Sequence, residues 1–87
     1  MQTFTQHELE IINGHQKIAR KEELLIIKQE IQKMIFLLKS EAGKTYIEDD
    51  VQRLYTLKNY QTTFEKLEKM NEAEFKKIDF SSVKESD

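Results

Sequence analysis

Between Leu24 and Leu38 the chain is apolar in a way that only a helix with several neighbours satisfies. Leu24, Ile27, Ile31, Met34 and Leu38 recur at alternating three- and four-residue steps, the seam of a coiled-coil-like packing surface. At about 100° per residue these five and Ile35 share one stripe roughly 100° wide. Leu25 and Phe36 project to a second side, and Ile26 and Leu37 to a third. A helix that is apolar nearly all round is buried on several sides. Each large side chain left in water forgoes about 1.5–3 kcal/mol, and an exposed apolar patch marks a protein contact. One antiparallel partner helix covers one face only, so the pattern predicts a bundle completed by a second copy or a partner protein.

The remainder of the 87 residues has little else from which to build that cover. The length suits one small domain. It holds no Pro and 2 Gly, and its Lys, Glu and Ile content favours long helices over loop-rich folds. The absence of Cys excludes a disulfide scaffold or thiolate metal site and agrees with a reducing, cytoplasmic compartment. No apolar run approaches the ~20 residues of a membrane span. Residues 1–10 lack the basic start and apolar stretch of a signal peptide. With 14 Lys+Arg against 16 Asp+Glu the net charge is −2. Phosphate neutralisation therefore offers weak drive, and nucleic acid is not the expected partner.

Capping signals set the expected boundaries. Thr5-Gln6-His7-Glu8 reads as a capping box with Phe4 and Leu9 as its hydrophobic staple. Nothing then forces a stop before Gly43, read as a left-handed C-terminal cap. The first helix is expected over about 5–42, roughly 55 Å long. Gly14 is its weak point, as a hinge, a kink or (with Asn13) a turn. Thr45-Tyr46-Ile47-Glu48 reads as a second capping box, opening a helix over about 45–70. Its apolar positions Ile47, Val51, Leu54, Leu57, Tyr60, Phe64 and Leu67 contain an extra three-residue step, which implies overwinding or a bend near Lys58-Asn59. Asn71-Glu72-Ala73-Glu74, stapled by Met70 and Phe75, opens a short helix over about 72–78. Residues 81–87 read as a disordered acidic tail. The two-residue link Gly43-Lys44 predicts an antiparallel helical hairpin. Ile11, Ile18 and Leu25 line up on a face rotated from the Leu24–Leu38 seam, so the N-terminal part of the first helix is expected to reach toward another chain.

Candidate chemistry is sparse. Ala42-Gly43-Lys44-Thr45 carries the ending of a phosphate-binding loop, but the glycine required five residues before Gly43 is Leu38. His7 and His15 lie about two turns, ~12 Å, apart on one helix, too far to share a metal, and read as solvated or locally hydrogen-bonded. Glu22, Glu23 and Glu30 alternate with Arg20, Lys21, Lys28 and Lys33 at helix-pair spacings, a solvated face rather than a pair of catalytic acids. Glu48, Asp49 and Asp50 suit a helix start. Lys17, Arg20, Lys21 and Lys28 form a loose basic stripe, the only candidate contact for nucleic acid. Tyr46, Tyr55, Tyr60 and Phe64 read as core and rim rather than a ligand cage. Tyr55 lies off the main stripe, as interface tyrosines do.

The sequence thus predicts an all-α protein: a long antiparallel helical hairpin with a short C-terminal helix, assembling as a homodimer into a helical bundle. The expected function is a non-enzymatic, cofactor-free interaction module, a small regulator, inhibitor or adaptor acting on a partner protein. Its expected interface is Ile11, Ile18, Leu25, Ile26, Phe36, Leu37 and Tyr55. The alternatives are a nucleic-acid-associated factor using the basic stripe, and a structural subunit of a larger assembly. No membrane contact, metal or catalytic residue is expected.

Overall fold

The computed structural model describes residues 3–19 and 23–83, with backbone alone for 18 and 19. Five packed helices account for its regular structure, and no strand occurs among the described residues. They are α1 (Gln6–Ala19), α2 (Leu24–Lys39), α3 (Glu41–Tyr46), α4 (Asp50–Glu68) and α5 (Glu72–Phe75). The all-helical class is as expected.

The first expected helix is two. Glu23 has extended backbone (φ −100°, ψ 125°) before α2 begins, and α1 packs on α4 and α2 of its own chain rather than reaching outward. The longest dimension of the molecule is 36 Å, shorter than the ~55 Å of an unbroken helix. Folding back is what buries Ile12 completely, in an apolar cluster with Leu24, Ile27, Ile31, Leu67, Met70 and Phe75. Gly14 sits inside α1 without interrupting it.

Two of the three capping boxes are present. The Thr5 amide donates to Glu8 Oε1 at 2.8 Å and the Glu8 amide to Thr5 Oγ1 at 3.2 Å. Asn71 and Glu74 make the same reciprocal pair at the start of α5. The box expected at Thr45 is absent, because Thr45 lies inside α3. The cap of α4 is Asp49, whose Oδ1 accepts from the Val51 and Gln52 amides at 2.9 and 3.1 Å.

Gly43 is likewise no left-handed cap. It is a helical residue of α3, buried against the end of α2, where an added Cβ would lie 2.4 Å from the Leu37 carbonyl oxygen and 2.9 Å from Leu38 Cα. Glycine is required there by close backbone approach. Ser40, extended between α2 and α3, donates from its hydroxyl to the Leu37 carbonyl at 2.7 Å. This short kinked link carries the chain from α2 into α4, the most extensive helix–helix contact. At the other end the Leu24 amide donates to Glu72 Oε1 at 3.0 Å, so α2 begins where α4 ends.

α4 runs unbroken past Lys58-Asn59. The extra three-residue step is resolved without a bend, because Val51 and Leu54 do not face the core. They are 80% and 60% exposed. Arg53, Thr63 and Leu67 are the buried positions. Arg53 is in phase with Tyr60 and Leu67 at ~100° per residue. It donates from Nη1 to the Ile47 carbonyl at 3.1 Å and from Nη2 to Asp50, tying down the link into α4. After α5, Ile78 and Phe80 pack on the core. Of the expected tail, residues 81 and 82 form a turn whose Ser82 carbonyl accepts from Gln6 Nε2 at 2.9 Å. Residues 84–87 lie outside the described residues.

Candidate functional site

Docking α1 against α4 is a polar event as much as an apolar one. Glu8, 1% exposed, accepts from Thr62 Oγ1 and from Lys66 Nζ, each at 2.6 Å, besides the Thr5 amide. Burial pushes its carboxyl up. The hydrogen bonds from Lys66, Thr62 and Thr5, with the Lys66 charge, outweigh that and hold the group below its ordinary 4.5. The Lys66 ammonium also lies 5.6 Å from the centre of the Phe4 ring, within cation–π range. Among the described residues no buried side-chain polar atom lacks a partner.

Farther along the same helix pair the two surfaces part into a groove of ≈ 440 Å³. Its walls include His7 and His15 of α1 and Tyr55 and Tyr60 of α4, with Tyr46 of α3 and Met34 of α2 also on the lining. Every His and Tyr of the chain therefore lines one depression. The rings are ordered in two edge-on pairs. His7 meets Tyr55 at 5.5 Å between centroids and 87° between planes, and His15 meets Tyr60 at 5.8 Å and 81°. His15 Nε2 and the Tyr60 hydroxyl are 3.2 Å apart in hydrogen-bond contact. Burial lowers the His15 pKa from 6.5, outweighing the Glu30 carboxylate, which acts to raise it. Burial also raises that of the Tyr60 phenol, with Tyr46 adding to the effect. Gly14 lies on the groove lining, and a Cβ there would meet nothing within 4 Å.

Sequence reasoning read the histidines one at a time along a helix and the tyrosines as core and rim, and so missed this convergence. The signal was present in part, since His7 and His15 fall on similar sides of α1. What brings four rings together is the return of α1 onto α4, which the capping signals do not show.

The expected interface residues are distributed as follows. Leu25 and Phe36 are 60% and 69% exposed, while Ile26 and Leu37 are half-buried. Ile11 is half-buried against the protein's own core. Tyr55 is 46% exposed and turned to the groove. Of the basic stripe, Lys17 is on α1 and Lys28 on α2. Arg20, Lys21 and the Ile18 side chain lie outside the described residues. On α2, Leu25, Gln29, Gln32 and Phe36 form one exposed, uncharged line at intervals of four, three and four. Val51 and Leu54 of α4 extend the exposed apolar inventory, and sequence reasoning had placed both on the core side.

The Gly43-Lys44-Thr45 segment is helical and its glycine is packed against backbone, a geometry with no cradle for phosphate. Among the described residues no group of three His, Cys, Asp or Glu is placed to hold a metal ion. No helix among the described residues is long and apolar enough to cross a membrane. Comparison with known proteins finds no matching family model, no matching curated protein and no matching solved structure.

Proposed function

We propose that this chain is a non-enzymatic helical interaction module, in which α2 and α4 form an antiparallel hairpin whose uncovered side pairs with a second copy. The observation that carries the reading is the line Leu25, Gln29, Gln32, Phe36. It has apolar ends, two amides and no charge, and it is exposed throughout its length. An ordinary solvated face of so charged a chain carries Lys and Glu at such positions, as the neighbouring Glu30–Lys33 pair does at 3.3 Å. Phe36 lies about 200° around α2 from Met34 on the groove wall, at ~100° per residue. The pairing face is thus separate from the side on which α1 docks. Covering Leu25 and Phe36 contributes about 1.5–3 kcal/mol for each side chain fully removed from water. A small chain without disulfides gains greatly from such burial. The paired helices then present the remaining surface to a partner protein as a regulator or adaptor, in the cytoplasm.

Sedimentation equilibrium of the intact chain tests this. The expected result is a monomer–dimer equilibrium at tens of micromolar, shifted to monomer by Phe36→Glu with helix content unchanged. A monomer at every concentration, with wild type and Phe36→Glu indistinguishable, overturns the pairing.

A further inference from the structure

We propose that the groove between α1 and α4 is a binding site for a trimethylammonium group, carried by a free choline-like molecule or by a methylated lysine side chain. The argument rests on what lines it and on what does not. Aromatic faces are electron-rich and attract a cation held within about 6 Å, most strongly one whose charge is spread over methyl groups that shed water easily. Tyr46 and Tyr55 bring rings to the lining that are 61% and 46% exposed, and Tyr60 lines it with them. The edge-on partners fix two of the three rings: His7 stands against Tyr55 and His15 against Tyr60. Two of the three rings are therefore in place before any ligand arrives.

Charge selects the same ligand. Among the described residues no Lys or Arg lines the groove, and the carboxylate on its lining is Glu10. Glu10 is held near the lip by His7 Nδ1 at 3.8 Å and Gln6 Nε2 at 3.4 Å. Burial keeps His15 toward its neutral form, so that wall does not repel a cation. An anion would meet the Glu10 carboxylate with no Lys or Arg among the described lining residues to offset it.

Gly14 supplies the third observation. Glycine inside a helix costs about 1 kcal/mol relative to alanine. Nothing in the packing of α1 requires it here, because an added Cβ meets open space. Its lack of a side chain leaves the groove open at that point. At ≈ 440 Å³ the volume falls within the range of about 300–1,000 Å³ usual for small-molecule sites.

The protein carries its own probe. It has no Trp, and its 3 Tyr all line the groove, so tyrosine emission reads this site alone. Choline chloride, titrated at constant ionic strength, should change that emission saturably. The neutral isostere 3,3-dimethyl-1-butanol should bind at least about twofold more weakly, the least expected of a cation–π contribution. Glu10→Gln should weaken choline while leaving the alcohol unchanged. Gly14→Leu, which fills the groove from a helix position with space for it, should abolish the response with helix content retained. A peptide bearing trimethyl-lysine, compared with its unmethylated form, separates the sources. Tighter binding than choline assigns the group to a protein side chain, and equal or weaker binding assigns it to a free molecule. Equal affinity for choline and the alcohol, no saturable change with choline, or unchanged binding in Gly14→Leu overturns the proposal. Sedimentation is unaffected by any of these results, so this site and the pairing face fail independently.

Discussion

The two sides of the α2–α4 pair are made of different materials. Where α1 docks, the contact is sealed by polar groups: Glu8 to Thr62 and Lys66, and His15 to Tyr60. On the side of α2 carrying Leu25, Gln29, Gln32 and Phe36 the surface is apolar at its ends, amide-bearing between them and open. The contrast teaches that apolar content along a helix does not locate its own chain's core. The core takes the Leu24–Ile27–Ile31 stripe and Ile12, while comparably large side chains on the second side of α2 stay in water. A chain of 87 residues has helices enough to cover one flank of its central pair.

The largest effects should separate core from open face. Ile31→Ala removes a fully buried side chain and should lower unfolding free energy by about 2–5 kcal/mol. Phe36→Ala, studied at a concentration where sedimentation gives a monomer, should change it by no more than about 0.5 kcal/mol. Guanidinium melts of both variants decide the matter. A loss in Phe36→Ala as large as in Ile31→Ala would erase the distinction between the two sides.

Next comes the polar seal. Glu8→Gln keeps the shape but loses the charge-assisted hydrogen bonds from Lys66 and Thr62, each about 1.5–3 kcal/mol by the usual measure of such bonds. Because the native carboxyl is held below 4.5, the unfolded chain binds more protons in the acid range. The contribution is therefore complete above about pH 5 and disappears as pH falls through the lowered native value. Wild type should lose stability over that window more steeply than Glu8→Gln in melts taken at successive pH values. Parallel curves would show that Glu8 is not the anchor of α1.

Gly43→Ala should follow, at about 1–3 kcal/mol, because its Cβ would meet the Leu37 carbonyl and Leu38 backbone, neither of which can swing aside. An unchanged melting temperature would mean that the α2–α3 junction has slack, and that the link does not fix where the open face lies.

These elements also show how much the sequence discloses. The boxes at Thr5 and Asn71 were legible because their partners lie three residues away. The start of α2 was not, since the Leu24 amide is capped by Glu72, 48 residues along the chain. Thr45 followed by Glu48 satisfied the local rule and lost to a tertiary one: Gly43 packing against α2 continues α3 through Thr45, and the cap passes to Asp49. Arg53 misled in the opposite direction. A charged residue occupies the buried phase of α4 and displaces Val51 and Leu54 outward, which apolar periodicity reads backwards. The exposure of Leu25 and Phe36 was foreseeable from the α2 pattern alone. The groove was not, because it requires α1 to reverse.

The smallest effect concerns the groove wall, and it bears on the covered side directly. Burial lowers the His15 pKa from 6.5, so protonation is resisted in the native state and accepted in the unfolded one. The resulting stability is complete above about pH 7 and is lost as pH falls from the ordinary histidine value through the lowered one. An imidazole proton-shift titration should therefore place the His15 midpoint below 6.5, and Tyr60→Phe, which removes the hydroxyl at 3.2 Å, should leave it there if burial is the cause. A midpoint at or above the ordinary value would mean that water reaches the ring freely. α1 would then not seal its flank, and the contrast between a closed and an open side of the helix pair would reduce to a difference in composition alone.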